Sequence, residues 1–553
     1  MSKLTAISRY FLLSAFVLSN SLFSQTKTLT RKYDPIIYRM AQSPLNGIAI
    51  NELFAYKYDT ASGQWAAIPF QIDEIDSTGK FLFDAGNGVV DSTDEVVFMP
   101  DDTWDQAPTS KWLNDSGAMQ NTRIELEMTD PIDGKKGWIY LYRKLSSPPD
   151  PASYFTYSAA TEKGNDRITG KSYSEANDTS GWYIDARVLS SVGGNGEDFI
   201  DRQKVLIEGT TVFTGDLKLR ETDLFSFIGV KENFSTGKAK VRGLRELSLR
   251  ISLAGLFTTN GSIIKQFFPY SSLYRFQGID IPDLGILGKV SKARISIDLN
   301  QHAGGMKFLN QTNRTGVTVD GVADNNLNKM LLPAPELNWF MVTGVQGTML
   351  VLAQVPQIGE TRLLYYNDDS TPNPEDSGDQ LAYGDFLYEI TQQTGSIKGK
   401  FDFEIITYYF EPVTGDPAVR GDQFKAWHGP NNLLKVDARE QLRTTTSVTD
   451  KGGQPSNFVL DDAQPNPYWQ QSGTVRLSFT LPQGMTSPSL RVYNLIGQEI
   501  ASFDFKGNQT ASSKYQVQWD GRAANGQMLP AGIYFYQLRS GAQVATKKLV
   551  LIR

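Results

Sequence analysis

The side chains best suited to chemistry in this sequence are its acids, 60 in all, several of them gathered in short stretches. In Phe83-Asp-Ala-Gly-Asn-Gly-Val-Val-Asp-Ser-Thr-Asp-Glu95, the oxygens of Asp84, Asn87, Asp91, Asp94 and Glu95 crowd a loop turned by glycines. Hard cations take carboxylate and carbonyl oxygens held close together, so calcium is the ion these five residues would bind; a plain acidic turn is the alternative. Just upstream, Asp73, Glu74 and Asp76 read as the charged edge of a strand, with Asp73 also open as a further oxygen ligand or a catalytic carboxylate. Glu197, Asp198 and Asp201 follow the glycine-rich turn Gly193-Gly-Asn-Gly196. Glycoside hydrolysis needs only two carboxylates about 5 to 9.5 Å apart, a separation that sequence spacing does not report. Asp368, Asp369, Glu375, Asp376 and Asp379 crowd a proline-containing stretch that reads as a solvated loop or a second calcium chelator.

Other reactive groups are sparse. The two histidines, His302 and His428, both stand in loop-like surroundings, and an imidazole base requires a hydrogen-bonded partner that sequence alone does not supply. Serine-elbow, zinc-helix and phosphate-loop signatures are missing. With no cysteine, the chain has no disulfide, thiolate metal site or thiol nucleophile. Arg420-Gly421-Asp422 is a chance tripeptide, and Trp339-Phe340 and Tyr408-Tyr-Phe410 read as sheet-packing residues or, less simply, a platform for sugar rings.

The elements that must position these groups are strands. Val475, Leu477, Phe479 and Leu481 alternate with polar residues, as do Leu247 to Leu253, Ile295 to Leu299, and Phe401 to Ile405. A period of two sends apolar side chains to one face of a strand, and no long amphipathic helix competes. At 553 residues the chain exceeds one core, and the pattern predicts an all-β, multidomain protein: antiparallel β-sandwich cargo domains followed by a C-terminal immunoglobulin-like sandwich. The expected divisions are a signal peptide at 1–25, an N-terminal β domain at 26–145, a large sandwich at 152–440, a flexible linker at 441–457 and the terminal module at 458–553. The proline run in Ser146-Ser-Pro-Pro-Asp-Pro151 suggests the first boundary, and the polar stretch around Lys451-Gly-Gly-Gln-Pro-Ser456 suggests the tether.

Lys3 and Arg9 before the apolar run Tyr10 to Phe23 have the form of a secretory signal, cleaved near Ser21 to Gln25. No later segment reaches transmembrane length, so no span is expected in the mature protein. A net charge of -6 and an isoelectric point near 5.3 argue against nucleic acid as a partner, because a basic surface is what displaces counterions from phosphate.

The terminal module carries an ordered set of motifs: Gln464-Pro-Asn-Pro467, Thr474 to Leu481, Leu490 to Gly497, Val517 to Arg522, Pro530 to Leu538 and Lys547 to Arg553. This order resembles the type A C-terminal sorting domain of the type IX secretion system of Bacteroidota, a family related to the Ig-like module of flagellar hook-capping proteins. The resemblance spans roughly the last ninety residues, with Tyr468 standing where that family usually has phenylalanine. It implies Gly532, Ile533, Tyr534, Lys547, Lys548, Leu549, Val550 and Leu551 as sorting-signal residues and the outer-membrane translocon as partner. It also implies a secreted, extracellular or outer-surface location. Separately, Gly86 to Asp94 resembles the calcium loop of dockerins and EF-hands, but aligning Gly88 with their invariant glycine places Phe83 where the first aspartate belongs. For the cargo two functions stand: a non-catalytic surface protein, adhesive or polysaccharide-binding, and a secreted carbohydrate-active or other hydrolytic enzyme.

Overall fold

The computed structural model describes residues 25–40, 45–159, 165–178, 182–324, 330–331, 337–354, 358–443, 458–470, 473–481, 488–495, 497–505, 513–523, 526–540 and 543–552. The expected signal segment up to residue 24 and the tether at 444–457 lie outside the described residues. Strands make up 52% and helices 8%, so the all-β class expected from alternation holds. Contacts divide the chain into two compact units, Met1–Thr445 and Thr446–Arg553.

The first unit is built around a large sandwich. One sheet of nine strands runs Phe225–Glu232, Gly243–Leu253, Phe257–Phe268, Ser271–Ile281, Gly399–Phe410, Gly347–Gln354, Leu337–Gly344, Lys307–Asn310 and Val317–Thr318. The second has six: Gly215–Arg220, Ile200–Thr211, Gly288–Leu299, Ala382–Thr391, Thr361–Asp369 and Met330–Leu331. Their apolar faces meet, with Leu249, Phe276, Val351 and Phe403 of the larger sheet in one core with Ile207, Ile297, Phe386 and Tyr388 of the smaller. Strand alternation produces this packing directly, since Leu247, Leu249, Ile251 and Leu253 are all buried while Arg250 between them is exposed.

A smaller sandwich sits in the same unit. Its three-stranded sheet, ordered Ile36–Arg39, Glu95–Phe98, Gln71–Asp73, shares a core with a five-stranded sheet, Val96 and Phe98 packing with Leu126, Met128, Ile139 and Leu141. That five-stranded sheet ends in a strand from far along the chain, because Lys435–Gln441 pairs antiparallel with Arg123–Thr129. The proline run at 146–151 therefore lies inside a unit whose beginning and end are hydrogen-bonded to each other. Buried Arg242 adds a second tie, reaching Asp73 at 2.6 Å and Glu95 at 2.9 Å.

One helix, Pro417–Trp427, was not evident from periodicity. Asp416 caps it by accepting from the Ala418 amide at 2.9 Å, and Pro417 stands at its first position, where a missing N–H costs nothing. Arg420-Gly421-Asp422 lies within this helix: a Cβ on Gly421 would stand 2.5 Å from Trp339, and Asp422 accepts from the Trp339 indole at 3.0 Å. The tripeptide is a packing feature.

The second unit is a small sandwich of a three-stranded sheet, Val459–Leu460, Val475–Leu481 and Ser513–Trp519, and a five-stranded sheet. The latter is ordered Tyr468–Trp469, Gln543–Ile552, Gly532–Ser540, Ser489–Tyr493, Glu499–Asp504. Val475, Leu477, Phe479 and Leu481 face Leu490, Tyr536, Leu538, Leu549 and Leu551 across its core.

Candidate functional site

In the terminal unit, the eight residues expected to form the sorting signal fall on one hairpin. Gly532 stands opposite Leu551, Ile533 opposite Val550, Tyr534 opposite Leu549 and Tyr536 opposite Lys547. Alternation then divides them: Tyr534, Leu549 and Leu551 are buried, whereas Gly532, Ile533 and Lys548 are exposed. The opening Pro-Asn-Pro motif meets the same hairpin. The Asn466 amide donates to the Lys548 carbonyl and accepts from the Val550 amide, both at 2.9 Å, so one side chain supplies two rungs of a ladder to the strand Gln543–Ile552. Two residues on, Tyr468 and Trp469 pair in parallel with Leu551 and Ile552. The Tyr468 hydroxyl donates to the Gly473 carbonyl at 2.6 Å. Lys547 reaches Asp462 at 2.6 Å.

The five residues of the expected calcium loop are engaged by separate donors. Exposed Asp84 pairs with Lys238 at 3.0 Å, and Asn87 accepts from the Val89 amide at 2.7 Å. Asp91 accepts from Thr93, while buried Asp94 accepts from the amides of Ile75 at 3.0 Å and Asp91 at 2.9 Å. Glu95 turns to Arg39 and Arg242. Each carboxylate has found its own donors, and no three of these acids bring oxygens within 4.8 Å of one another. The loop instead borders a groove of about 790 Å³ lined by Phe70, Glu74, Phe81, Phe83, Lys238 and Lys240.

Among the described residues, the acids that do converge are Asp201, Asp298 and Asp379, each with one oxygen within 4.8 Å of the others. Two of them belong to different clusters seen in the sequence, at 197–201 and 368–379. Asp201 is the extra residue of a bulge, since Ile200 pairs with Leu299 and Arg202 with Asp298. The loop carrying Asp379 crosses the outer face of the six-stranded sheet, where the Asp379 amide donates to Asp201 at 3.1 Å and Lys204 reaches the Leu381 carbonyl. Beneath that loop Lys204 is bonded to Asp298 and, at 3.2 Å, to Asp376. Burial and the nearby Asp379 push the Asp201 carboxyl up to about 6, and burial with Asp385 raises that of Asp298 well above an ordinary aspartate.

Asp198 accepts from the amides of Ala186 and Ile200 and from Asn300, so it braces the turn rather than facing Asp201, although burial and Asp185 push it up to about 6 as well. Glu197 is exposed. Asp368 holds the amides of Asp320 and Gly321, and Glu375 pairs with Lys218 at 2.5 Å. His428 sits at the end of the Pro417–Trp427 helix with its Nε2 2.6 Å from the Tyr408 hydroxyl and 3.2 Å from Asp34, which Arg31 also binds at 2.7 Å. His302 lies against the Asp198 carbonyl at 3.0 Å. Trp339, Phe340, Tyr408, Tyr409 and Phe410 are all buried and present no sugar-stacking surface. A cavity between the large sheets, lined by Ile207, Phe225, Ile251, Phe276 and Tyr388, has about 110 Å³, well short of the roughly 300 Å³ of a small-molecule site.

Residues 464–543 match the FlgD Ig-like domain. The terminal module is therefore Ig-like by sequence as well as by its two facing sheets. No curated protein matches the chain. Among solved structures, PorZ, described as an essential surface component of the type-IX secretion system of Porphyromonas gingivalis, is similar at 11% identity over 75% of this chain and 49% of its own, with a TM-score of 0.14. The chain thus spans about half the length of PorZ. A truncated trimeric ectodomain of the C. elegans fusion protein EFF-1 is similar at 8% identity over 73% of this chain and 97% of its own, with a TM-score of 0.13.

Proposed function

We propose that this chain is a secreted or cell-surface protein exported by the type IX secretion system, with residues 458–553 as its sorting module and the preceding residues as cargo. The observation that supports this reading is the meeting of Asn466 with Lys548 and Val550, and of Gly532 to Tyr534 with Leu549 to Leu551, on one hairpin of an Ig-like domain. Motifs dispersed in sequence meet on a single hairpin, as a structure read by a translocon requires. Gly532, Ile533 and Lys548 are the members that face outward and so are the ones available to a receptor.

The test separates recognition from folding. Deleting Lys547 to Arg553 removes core residues Leu549 and Leu551 and so unfolds the module, whereas Ile533→Asp with Lys548→Glu alters exposed positions alone. In a host possessing the machinery, the double variant should accumulate folded in the periplasm; unchanged surface levels would refute the reading.

The cargo is proposed to be a non-catalytic binding protein, and the groove beside Phe70, Phe83 and Lys240 is the feature that suits a polysaccharide, its volume falling in the range of ligand sites. The alternative is a secreted hydrolase, for which Asp201, whose carboxyl burial and Asp379 push up to about 6, is the first acid to test. A glycan screen followed by product analysis separates the two, because a bound glycan recovered intact supports binding and a cleaved one supports hydrolysis.

A further inference from the structure

We propose that Asp201, Asp298 and Asp379 form a binding site for one calcium ion on the outer face of the six-stranded sheet, beneath the loop at 370–381. Two oxygens each about 2.3 to 2.6 Å from a shared calcium stand at most roughly 5 Å apart, and these three carboxylates satisfy that limit at 4.8 Å.

Unpartnered atoms point to a ligand. Asp298 is fully buried, and its Oδ1 accepts no hydrogen bond among the described residues, although its other oxygen is held by Lys204. Asp201 Oδ2 is likewise buried without a donor. Asp385, 1% exposed, stands one residue beyond the Ile297–Phe386 pair, as Asp298 does on the facing strand, and its Oδ1 also lacks a donor. A buried carboxylate oxygen with no partner is costly, and nature rarely leaves one in place without an ion or water.

Charge points the same way. Lys204 and Arg220 between them address Asp298 and Asp376. Asp201, Asp379 and Asp385 have no basic side chain within 4.0 Å among the described residues, and a divalent cation supplies the missing positive charge. The loop is fitted to this purpose at Gly378, whose positive φ of 80° and bare Cα let the chain lie against Asp201. Calcium suits ligands drawn from a bulge, a strand and a loop better than magnesium, which demands a near-ideal octahedron. Asp379 is exposed and leaves an open side for water ligands.

The site is tested on the full chain, stripped with EDTA and titrated with calcium chloride by calorimetry and thermal unfolding. One ion per chain and a raised Tm are expected, with binding weakened at least about tenfold in D379N and D201N, since each removes a charged ligand. Asp379 lies in an exposed loop, so D379N keeps the test alive if D201N fails to fold. D91N, in the other acidic loop, should bind as the parent does. Absence of heat and of a Tm shift overturns the proposal, as does undiminished binding by D379N, or loss of binding in D91N alone.

Discussion

Asn466 and Val550 are joined by a hydrogen bond of 2.9 Å across 84 positions of sequence. Together with the bond to the Lys548 carbonyl, it fixes the opening motif of the terminal module to the module's last strand. Asn466→Ala should therefore lower the stability of this unit by about 1–2 kcal/mol, two partly solvated hydrogen bonds being lost. Denaturant unfolding followed by tryptophan fluorescence of the module checks this, and a midpoint equal to that of the parent would count against the role assigned to Asn466.

Arg242 is the buried cation between Asp73 and Glu95. Removing it leaves buried Asp73 without a counter-ion and Glu95 with Arg39 alone, and Arg242→Met should cost about 3–5 kcal/mol in the first unit. The triple change Arg242→Met, Asp73→Asn, Glu95→Gln should recover part of that loss, because no naked charge then remains. Recovery by the triple variant distinguishes an electrostatic tie from simple packing.

Gly378 approaches Asp201 so closely that a Cβ would stand 1.8 Å from Asp201 Oδ2, and its φ of 80° disfavours any side chain. Gly378→Ala should destabilise by about 1–3 kcal/mol through backbone strain, more if the loop is forced off the sheet. Circular-dichroism melting of the variant provides the measurement.

Asp198 gives the molecule a pH dependence. Its folded-state carboxyl, pushed up to about 6 by burial and by Asp185, lies above its unfolded value near 3.9. The native state thus holds the proton across that interval, and the stability it contributes is complete below about 4 and lost as pH rises through 6. Asp198→Asn lacks this titration, so its stability relative to the parent should improve from about pH 4 to about pH 6 and level off above that. A difference that stays flat across the window would mean that Asp198 ionises normally.

Period-two alternation made much of the fold legible. Val475 to Leu481 and Leu247 to Leu253 bury the residues that their patterning predicts. Alternation failed where a second layer covers a strand. At Arg294 to Leu299 the polar face is as buried as the apolar one, with Ser296 and Asp298 fully enclosed, Asp298 lying beneath the loop at 370–381. The Pro417–Trp427 helix escaped notice because one of its four inward positions is Gly421, whose contribution is the absence of a side chain. As for the acid site, Asp201 and Asp379 each stood out in a separate acidic cluster. Their convergence across 178 positions depends on sheet topology that no local spacing encodes, and Asp298 carried no signal beyond an aspartate inside a strand.

The strand Lys435–Gln441 gives the first unit an unusual order of completion. Arg123 finds its acceptor, the Gln441 side-chain oxygen, only after 318 further residues have been made. As the chain emerges N-terminus first, from the ribosome or from a membrane channel, the early sheet waits with one edge uncovered until nearly all of the first unit has followed. Premature termination anywhere before that point strands an open edge, so partially synthesised chains are the ones most exposed to aggregation and to quality-control proteases.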